Sequence, residues 1–316
     1  MQPALIVCGP TASGKSALAL ELARRWRGRV INADAMQVYA GMGLITAQPS
    51  AADRAAAPHL LYGVRPPAQA ANLAWWRGEA LSAMEGPDLP ILCGGTGLYL
   101  RALTQGLSAL PEVPPEAREA ARALLAERGA PALHMLLDAE TAARLRPGDS
   151  QRVARAYEIL LATGRGLASW QRDAPVLPPA PYRFAVLLLD PPRDMLRQAI
   201  GERFDAMLEH GALEEIRPLL GLDPALPALR AHGVPELAAH LRGEMSLRAA
   251  RDQAALHTHQ YTKRQGTWFR HQALVAPAFV HMIHARFAGL TQLSQSNWAE
   301  IERFVQALVD GPMGQA

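Results

Sequence analysis

The sequence predicts an α/β fold in which helices cover a parallel β-sheet and an all-helical subdomain is inserted into the chain. Short apolar runs recur along the chain, and longer segments with helical periodicity separate them. Those two observations predict the parallel sheet. The insertion is predicted by a change of composition, since residues 111–181 are rich in Ala, Arg, Leu and Pro and contain no good strand.

The predicted strands are four apolar runs, over residues 4–8, 29–33, 90–93 and 184–189. A strongly helix-forming segment follows the first of them, at 16–22. Because parallel strands all end at the same edge of a sheet, we expect a ligand to bind at the carboxyl ends of these runs.

The change of composition predicts three segments: 1–111 as the first part of the core, 112–181 as the helical insertion, and 182–316 as the second part of the core with C-terminal helices. Within the insertion, 151–163 is an amphipathic helix that Gly164 ends. Two further helices are predicted over 194–210 and 246–269, the second broken once at Gly266.

The composition is ordinary for a globular enzyme, with 49% hydrophobic and 19% charged residues. No run approaches the roughly 20 apolar residues of a membrane span. The first strand begins at residue 4, which leaves no room for a signal peptide, and Cys8 and Cys93 are expected as buried thiols. We therefore expect a cytoplasmic protein with no membrane contact, and a monomer by default.

Residues 9–16 read Gly-Pro-Thr-Ala-Ser-Gly-Lys-Ser, which is the pattern of a phosphate-binding loop, or P-loop, between a strand and a helix. Gly9 and Gly14 let the backbone N–H groups turn inward, Lys15 meets phosphate oxygens, and the Ser16 hydroxyl can ligate Mg²⁺. The alternative is a plain glycine turn. The motif makes the expected fold P-loop NTPase-like and is typical of nucleotide-binding, including ATP-binding, proteins.

Two more strand ends carry polar residues. Asp34 follows the second run, where its carboxylate could hold Mg²⁺, accept a proton or simply cap a helix. Gln37 has the paired donor and acceptor that reads an adenine edge, although alone it is a weak signal. The third run leads into Gly94-Gly95-Thr96-Gly97, a second strand-to-helix turn.

Basic residues form two clusters although the net charge is only +3. Residues 144–172 hold six Arg against two acids, and residues 242–271 hold six Lys or Arg with three His and the aromatics Tyr261, Trp268 and Phe269. Each cluster is either a solvated helix face or part of a nucleic-acid surface.

Five collinear motifs resemble the tRNA dimethylallyltransferases, also called tRNA isopentenyltransferases. The resemblance runs from residue 5 to about 271 and is carried by Gly9–Ser16, Asp34-Ala35-Met36-Gln37-Val38-Tyr39, Gly94-Gly95-Thr96-Gly97-Leu98-Tyr99, Asp149-Ser150-Gln151-Arg152-Val153-Ala154-Arg155-Ala156, and Thr258 to Arg270. It implies transfer of a dimethylallyl group from dimethylallyl diphosphate to N6 of adenine 37 in tRNAs that read codons beginning with U.

The resemblance also implies site residues. Asp34, Thr96 and Lys15 would be catalytic, and Ser16 would hold Mg²⁺. The diphosphate would be bound by Gly9, Thr11, Ala12, Ser13, Gly14, Lys15, Ser16, Arg203 and Arg230, the last two having a structural role as the equal alternative. The tRNA would be contacted by Asp34, Ala35, Met36, Gln37, Thr96, Gln151, Arg152, Val153, Ala154, Arg155, Arg230, Gly233, Lys263, Arg264, Gln265, Trp268 and Arg270, with Trp268 a core residue as the alternative. The insertion would clamp the anticodon stem-loop.

The chain departs from the family pattern at four places. Ala35 replaces a Ser, Ile45 a Gly and Gln48 a Lys, and His232-Gly233-Val234-Pro235 replaces G-Y-[RK]. These changes affect the expected substrate loops and leave the expected catalytic set of Lys15, Ser16, Asp34 and Thr96 intact.

Three other functions remain open from sequence. The run before Asp190 resembles the metal-binding strand of a P-loop kinase or NTPase, with Asp190 as the Mg²⁺ partner. A prenyltransferase acting on free AMP, ADP or ATP is the second, and a non-catalytic tRNA-binding protein is the third. Release of phosphate from ATP, prenylation of a nucleotide, or binding without turnover would distinguish them.

Overall fold

A computed structural model describes residues 1–108, 110–173, 176–289 and 295–311. The strands of these residues are β1 (Gln2–Cys8), β2 (Gly28–Asn32), β3 (His59–Leu60), β4 (Leu89–Gly94), β5 (Leu107–Ser108), β6 (Val176–Leu177), β7 (Tyr182–Leu189) and β8 (Val280–Ile283). Their helices are α1 (Lys15–Arg25), α2 (Ala51–Ala56), α3 (Leu73–Met84), α4 (Gly97–Thr104), α5 (Pro115–His134), α6 (Ala139–Arg144), α7 (Ser150–Thr163), α8 (Leu167–Asp173), α9 (Arg193–Glu209), α10 (Ala212–Ile216), α11 (Val234–Leu241), α12 (Leu247–His271) and α13 (Gln295–Asp310). Short 3₁₀ helices cover Arg217–Gly221, Pro227–Arg230 and Pro277–Phe279.

The chain forms two compact units, Met1–Gln105 with Ala180–Ala316, and Gly106–Pro179. The first unit is built on a six-stranded parallel sheet in the order β3-β2-β4-β1-β7-β8. The α/β prediction is confirmed, and all four predicted strands are present. The edge strands β3 and β8 are short and half-exposed, so they lack the apolar run that reveals a buried strand.

Both faces of the sheet are covered, as a parallel sheet requires. Along β1, Ala4 and Ile6 pack with α3, α4 and α9 to α12 on one face, while Leu5 and Val7 pack against α1 and α13 on the other. All four side chains are fully buried. The sheet is therefore a rigid base for the loops at its carboxyl edge.

The second unit is mainly helical, with a small core of Leu133, Leu137, Val153 and Ala156. Helix α7 ends at Gly164, which adopts the left-handed conformation with φ 67°. Strands β5 and β6 pair antiparallel in a two-residue ribbon that the sequence does not predict.

Helix α12 runs unbroken through Gly266, so the predicted break there is wrong. A glycine inside a helix costs about 1 kcal/mol relative to alanine. Residues on both sides of Gly266 are buried, including Thr262, Gln265 and Phe269, and their burial outweighs that cost.

Candidate active site

The glycine loop leaves β1 and enters α1 at the carboxyl edge of the sheet. Gly14 precedes α1 with φ 91°, and a Cβ built on it would lie 1.7 Å from the Phe287 carbonyl oxygen. The segment after β8 holds the loop from outside, because the Phe287 amide donates to Ser13 O (3.0 Å) and Arg286 Nε donates to Ala12 O (3.0 Å). Only glycine fits at position 14, and the first amides of α1 are aimed along the loop.

A cavity of about 390 Å³ opens over this loop, and we call it the P-loop cavity. The residues that line it are Thr11, Ala12, Gly14, Lys15, Ser16, Ala17, Asp34, Gln37, Thr46, Ala47, Ala199, Arg203, Arg286, Phe287 and Ala288. Gly9 and Ser13 are buried in the same loop. The Ser13 hydroxyl has no hydrogen-bond partner among the described residues, which suits a loop shaped to receive phosphate oxygens.

The charge in the P-loop cavity favours an anion. Burial lowers the pKa of Lys15, and the Asp34 carboxylate opposes this effect. Burial likewise lowers the pKa of Arg203, again opposed by Asp34. Two partly desolvated cations thus share one carboxylate, and a multiply charged anion would stabilise both of them in the charged form.

Asp34 is held by its own turn. The Asn32 side chain is fully buried and accepts a hydrogen bond from the Asp34 amide (2.8 Å), while its Nδ2 donates to the carbonyls of Asp34 and Leu61 (3.0 Å each). Asp34 Oδ1 accepts from the Met36 amide (2.9 Å). The carboxylate is therefore fixed in orientation at the carboxyl end of β2.

Thr96 joins the Asp34 turn to the second glycine loop. Its Oγ1 accepts from the Ala35 amide (3.0 Å), and its own amide donates to Ala33 O (3.2 Å). Burial raises the pKa of Tyr261 and Asp34 adds to the rise, while the side chains of Gln265 and Thr96 oppose it. Tyr261 was not predicted as a site residue; its place four residues before Gln265 on α12 was the available signal.

A second cavity of about 220 Å³, here called the adjoining cavity, meets the first at Asp34. The residues that line it are Thr11, Asp34, Ala35, Met36, Ile45, Thr46, Thr96, Ile200, Arg203, Phe204, Arg230, Ala231, His232, Thr258, Tyr261 and Arg264. Thr11, Asp34, Thr46 and Arg203 line both cavities. A reacting centre at this junction would have phosphate-binding groups on one side. On the other side it would have a small pocket lined by both polar and apolar side chains.

Gln265 is a supporting residue of the site. Its Oε1 accepts from the Thr11 amide (2.9 Å) and hydroxyl (3.2 Å), and its Nε2 donates to Gly95 O (3.0 Å). The side chain is only 4% exposed. We therefore correct the expectation that it contacts tRNA: Gln265 ties the two glycine loops together, and its amide groups are used for that purpose.

The Gln37 side chain also supports the backbone near the site. Its Nε2 donates to the carbonyls of Thr46 (2.9 Å) and Ala47 (2.8 Å), which holds the segment that lines both cavities. Glu215 on α10 holds the same segment from the other end, accepting from the amides of Leu44 (2.9 Å) and Ile45 (2.7 Å). The side-chain nitrogen of Gln37 is therefore already engaged in these two hydrogen bonds and is not free to read the edge of a base.

The remaining predicted tRNA contacts of the first unit fall at three places. Met36, Arg230 and Arg264 line the adjoining cavity, whereas Arg230 is not among the residues found lining the P-loop cavity. Gly233 is buried with φ 96°. Trp268 packs over Gly97, where an added Cβ would lie 2.2 Å from the indole ring, so the core interpretation of Trp268 fits best.

Lys263, Arg270 and Asp190 are among the residues that line a third cavity, of about 260 Å³. Asp190 is 3.7 Å from the Arg270 guanidinium and is not among the described residues that line the P-loop cavity. The kinase interpretation requires Asp190 beside the phosphate-bound metal. This placement speaks against that interpretation.

In the second unit, the predicted contacts lie on α7. Gln151 and Arg152 are exposed, and Arg155 is ion-paired with Glu158 at 3.0 Å. Val153 is fully buried and Ala154 is 8% exposed, so their side chains face the unit's own interior. Side-chain contact with RNA from Val153 and Ala154 is therefore corrected to a packing role, which orients their exposed neighbours.

Comparison with known proteins assigns the chain to a family. A model described as IPP transferase matches residues 37–272. The chain belongs to the IPP transferase family. It is 55% identical over 309 residues to the tRNA dimethylallyltransferase of Acidiphilium cryptum (strain JF-5), covering 96% of this chain and 95% of the relative. It is 54% identical over 319 residues to the tRNA dimethylallyltransferase of Gluconobacter oxydans (strain 621H), covering 98% and 96%. The family resemblance drawn from the five motifs is confirmed.

Solved structures of this family have the same fold. The full-length tRNA isopentenylpyrophosphate transferase from Bacillus halodurans is 29% identical with a TM-score of 0.66, over 98% of this chain and 97% of that one. A eukaryotic dimethylallyltransferase acting on tRNA has a TM-score of 0.78 at 24% identity, over 100% and 81%, which is evidence for the fold alone.

Membrane spans and clusters of metal-ligating side chains are both absent from the residues that the structure describes. None of their helices combines the length and apolar character that crossing a bilayer requires. Over the same ranges, no group of three or more His, Cys, Asp or Glu side chains could hold a metal ion.

Proposed function

We propose that this member of the IPP transferase family transfers a dimethylallyl group from dimethylallyl diphosphate to N6 of adenine 37 in tRNAs that read codons beginning with U. The products are N6-dimethylallyladenosine and diphosphate. The observation that carries the proposal is the position of Asp34 at the junction of the P-loop cavity and the adjoining cavity. The printed names of its relatives, tRNA dimethylallyltransferases, supply the reaction class.

The diphosphate binds in the P-loop cavity. There the amides at the start of α1, the Lys15 ammonium and the Arg203 guanidinium face the oxygens that gain charge as the bond to carbon breaks. The electron pair of that C–O bond leaves with the diphosphate. The loop therefore serves as a handle for the leaving group, and no nucleotide is hydrolysed.

The adenine enters the adjoining cavity. Its N6 amine is a weak nucleophile because the lone pair is delocalised into the ring. As the new bond forms from N6 to the prenyl carbon, the Asp34 carboxylate accepts the N6 proton, and Thr96 and Tyr261, which line the same cavity, orient the amine. An unpaired loop base costs only a few kcal/mol to flip out.

Mg²⁺ is the proposed metal, with the Ser16 hydroxyl as its protein ligand. Magnesium prefers one or two protein oxygens completed by substrate phosphates and water, and Ser16 and Asp34 both line the P-loop cavity. When bound, the ion would neutralise charge on the departing diphosphate.

The tRNA is proposed to be held by basic side chains near the site. Arg230 and Arg264 line the adjoining cavity, and Lys263 and Arg270 lie on another face of α12. In the second unit, Arg152 is the more exposed of the two cations of α7, and it lies 3.5 Å from Asp149. The proposed acting form is a monomer in the cytoplasm, where tRNA is found.

A transfer assay tests the proposal. The protein is mixed with Mg²⁺, labelled dimethylallyl diphosphate and unmodified tRNA with adenines at 36 and 37, and a matched tRNA carries guanosine at 37. AMP and ATP are run in parallel. We expect label on the first tRNA only. Label on AMP or ATP instead, or consumption of ATP without labelled RNA, would contradict the proposal.

A further inference from the structure

One segment leads from the P-loop cavity into the adjoining cavity. Of these two cavities, Ala47 lines the P-loop cavity, Thr46 lines both, and Ile45 lines the adjoining one. A donor with its diphosphate on the glycine loop and its carbon chain directed away from it would follow this segment. Its far end would then reach Ile45.

Helix α9 follows the same course on a second side. Ala199 lines the P-loop cavity, Arg203 lines both cavities, and Ile200 and Phe204 line only the adjoining one. Both the 45–47 segment and α9 therefore contribute apolar side chains to the adjoining cavity: Ile45 from the first, and Ile200 and Phe204 from the second. The adjoining cavity also has polar lining residues, among them Thr96, Tyr261 and Asp34. The apolar lining suits a hydrocarbon chain, and the polar lining suits a base.

Ile45 and Phe204 are neighbours in the apolar lining. A Cβ on Gly233 would lie 2.7 Å from Ile45 Cδ1 and 2.9 Å from Phe204 Cε1, so the two side chains converge at that glycine. Ile45 is 3% exposed, and its amide is fixed by Glu215 at 2.7 Å. The side chain is packed on a backbone that is itself held in place, so it has little freedom to move aside.

At about 220 Å³ the adjoining cavity is smaller than the roughly 300–1,000 Å³ of ordinary ligand pockets, and the base must share it with the prenyl group. Resting on the proposed function, we propose that Ile45, which stands where the family pattern has a Gly, is a specificity-determining residue of this chain whose side chain narrows its tolerance for prenyl diphosphates longer than five carbons. A ten-carbon donor would have to displace Ile45 or Phe204 from a packed position.

The test compares kcat/KM for dimethylallyl and geranyl diphosphates with the same tRNA. For the unaltered protein we expect a preference of at least about 100-fold for the shorter donor, since misfitting methylene groups are worth roughly 10–200-fold each. In Ile45→Ala the preference should fall at least about tenfold, because the variant removes three carbons from the apolar lining.

Leu44→Ala is the matched control. It removes side-chain carbon from the neighbouring residue, whose side chain is 37% exposed and outside the cavity lining, and it should leave the preference unchanged. Ile45→Val provides a smaller change with an intermediate effect if the alanine variant does not fold.

The outcomes separate the two proposals. Absence of dimethylallyl transfer by the unaltered protein would refute the proposed function. Efficient geranyl transfer by the unaltered protein would refute the role of Ile45. So would dimethylallyl transfer by the Ile45 variants with an unchanged donor preference.

Discussion

Replacing Gln265 by alanine tests whether the two glycine loops depend on one buried amide. The change leaves the Thr11 amide and the Gly95 carbonyl without their partner. A buried polar group that loses its partner costs about 1–3 kcal/mol, so we expect the free energy of unfolding to fall by about 2–4 kcal/mol, given that Thr11 is only half-buried. At roughly 2–4 °C per kcal/mol, Tm should fall by about 5–15 °C.

The assay is thermal unfolding followed by circular dichroism, together with KM for the prenyl donor. Gln260→Ala is the matched control, since it makes the same substitution at an exposed position of α12. Because Thr11 lines both cavities, Gln265→Ala should also raise KM for the donor, whereas the control should change neither quantity. A Tm equal to that of Gln260→Ala would refute the claim that Gln265 supports the loops.

Three further predictions concern the P-loop cavity and the junction. Asp34→Asn should lower kcat by about 10²–10⁴-fold and leave the Kd of the diphosphate donor nearly unchanged; equal activity would remove Asp34 from its proton-accepting role. Gly14→Ala should abolish donor binding in calorimetry, because the added methyl group overlaps the Phe287 carbonyl, and wild-type affinity would contradict this. Burial places the pKa of Lys15 below its ordinary value of 10.5, and bound diphosphate needs the charged amine, so affinity for inorganic diphosphate should weaken as pH rises through that lowered pKa. A titration of Kd against pH that is flat up to 10.5 would contradict the assignment.

The sheet could be predicted because its inner strands are continuous apolar runs. Strand β1 alternates buried residues between two covered faces and leads directly into the P-loop motif. The edge strand β8 has His281 and exposed Met282 in four residues, so its pairing with β7 comes from tertiary contact. Gly266 was misread because burial of α12 outweighs local helix propensity.

The site was predicted less completely than the fold. Motifs singled out Lys15 and Asp34 because Lys15 belongs to a phosphate-binding loop pattern and Asp34 directly follows a predicted strand. They did not distinguish residues that touch a ligand from residues that support one, and Gln265 belongs to the second kind. Ile45 and Tyr261 reach the adjoining cavity through packing between distant segments, which spacing along the chain does not reveal.

The most direct test of the central claim measures stoichiometry in a single reaction. Diphosphate released from dimethylallyl diphosphate is counted against N6-dimethylallyladenosine found at position 37 after nuclease digestion of the tRNA, with no ATP present. The account predicts one diphosphate for each modified adenine, and loss of both signals when guanosine replaces adenine 37. Diphosphate release without modified RNA, or modification that requires ATP, would contradict it.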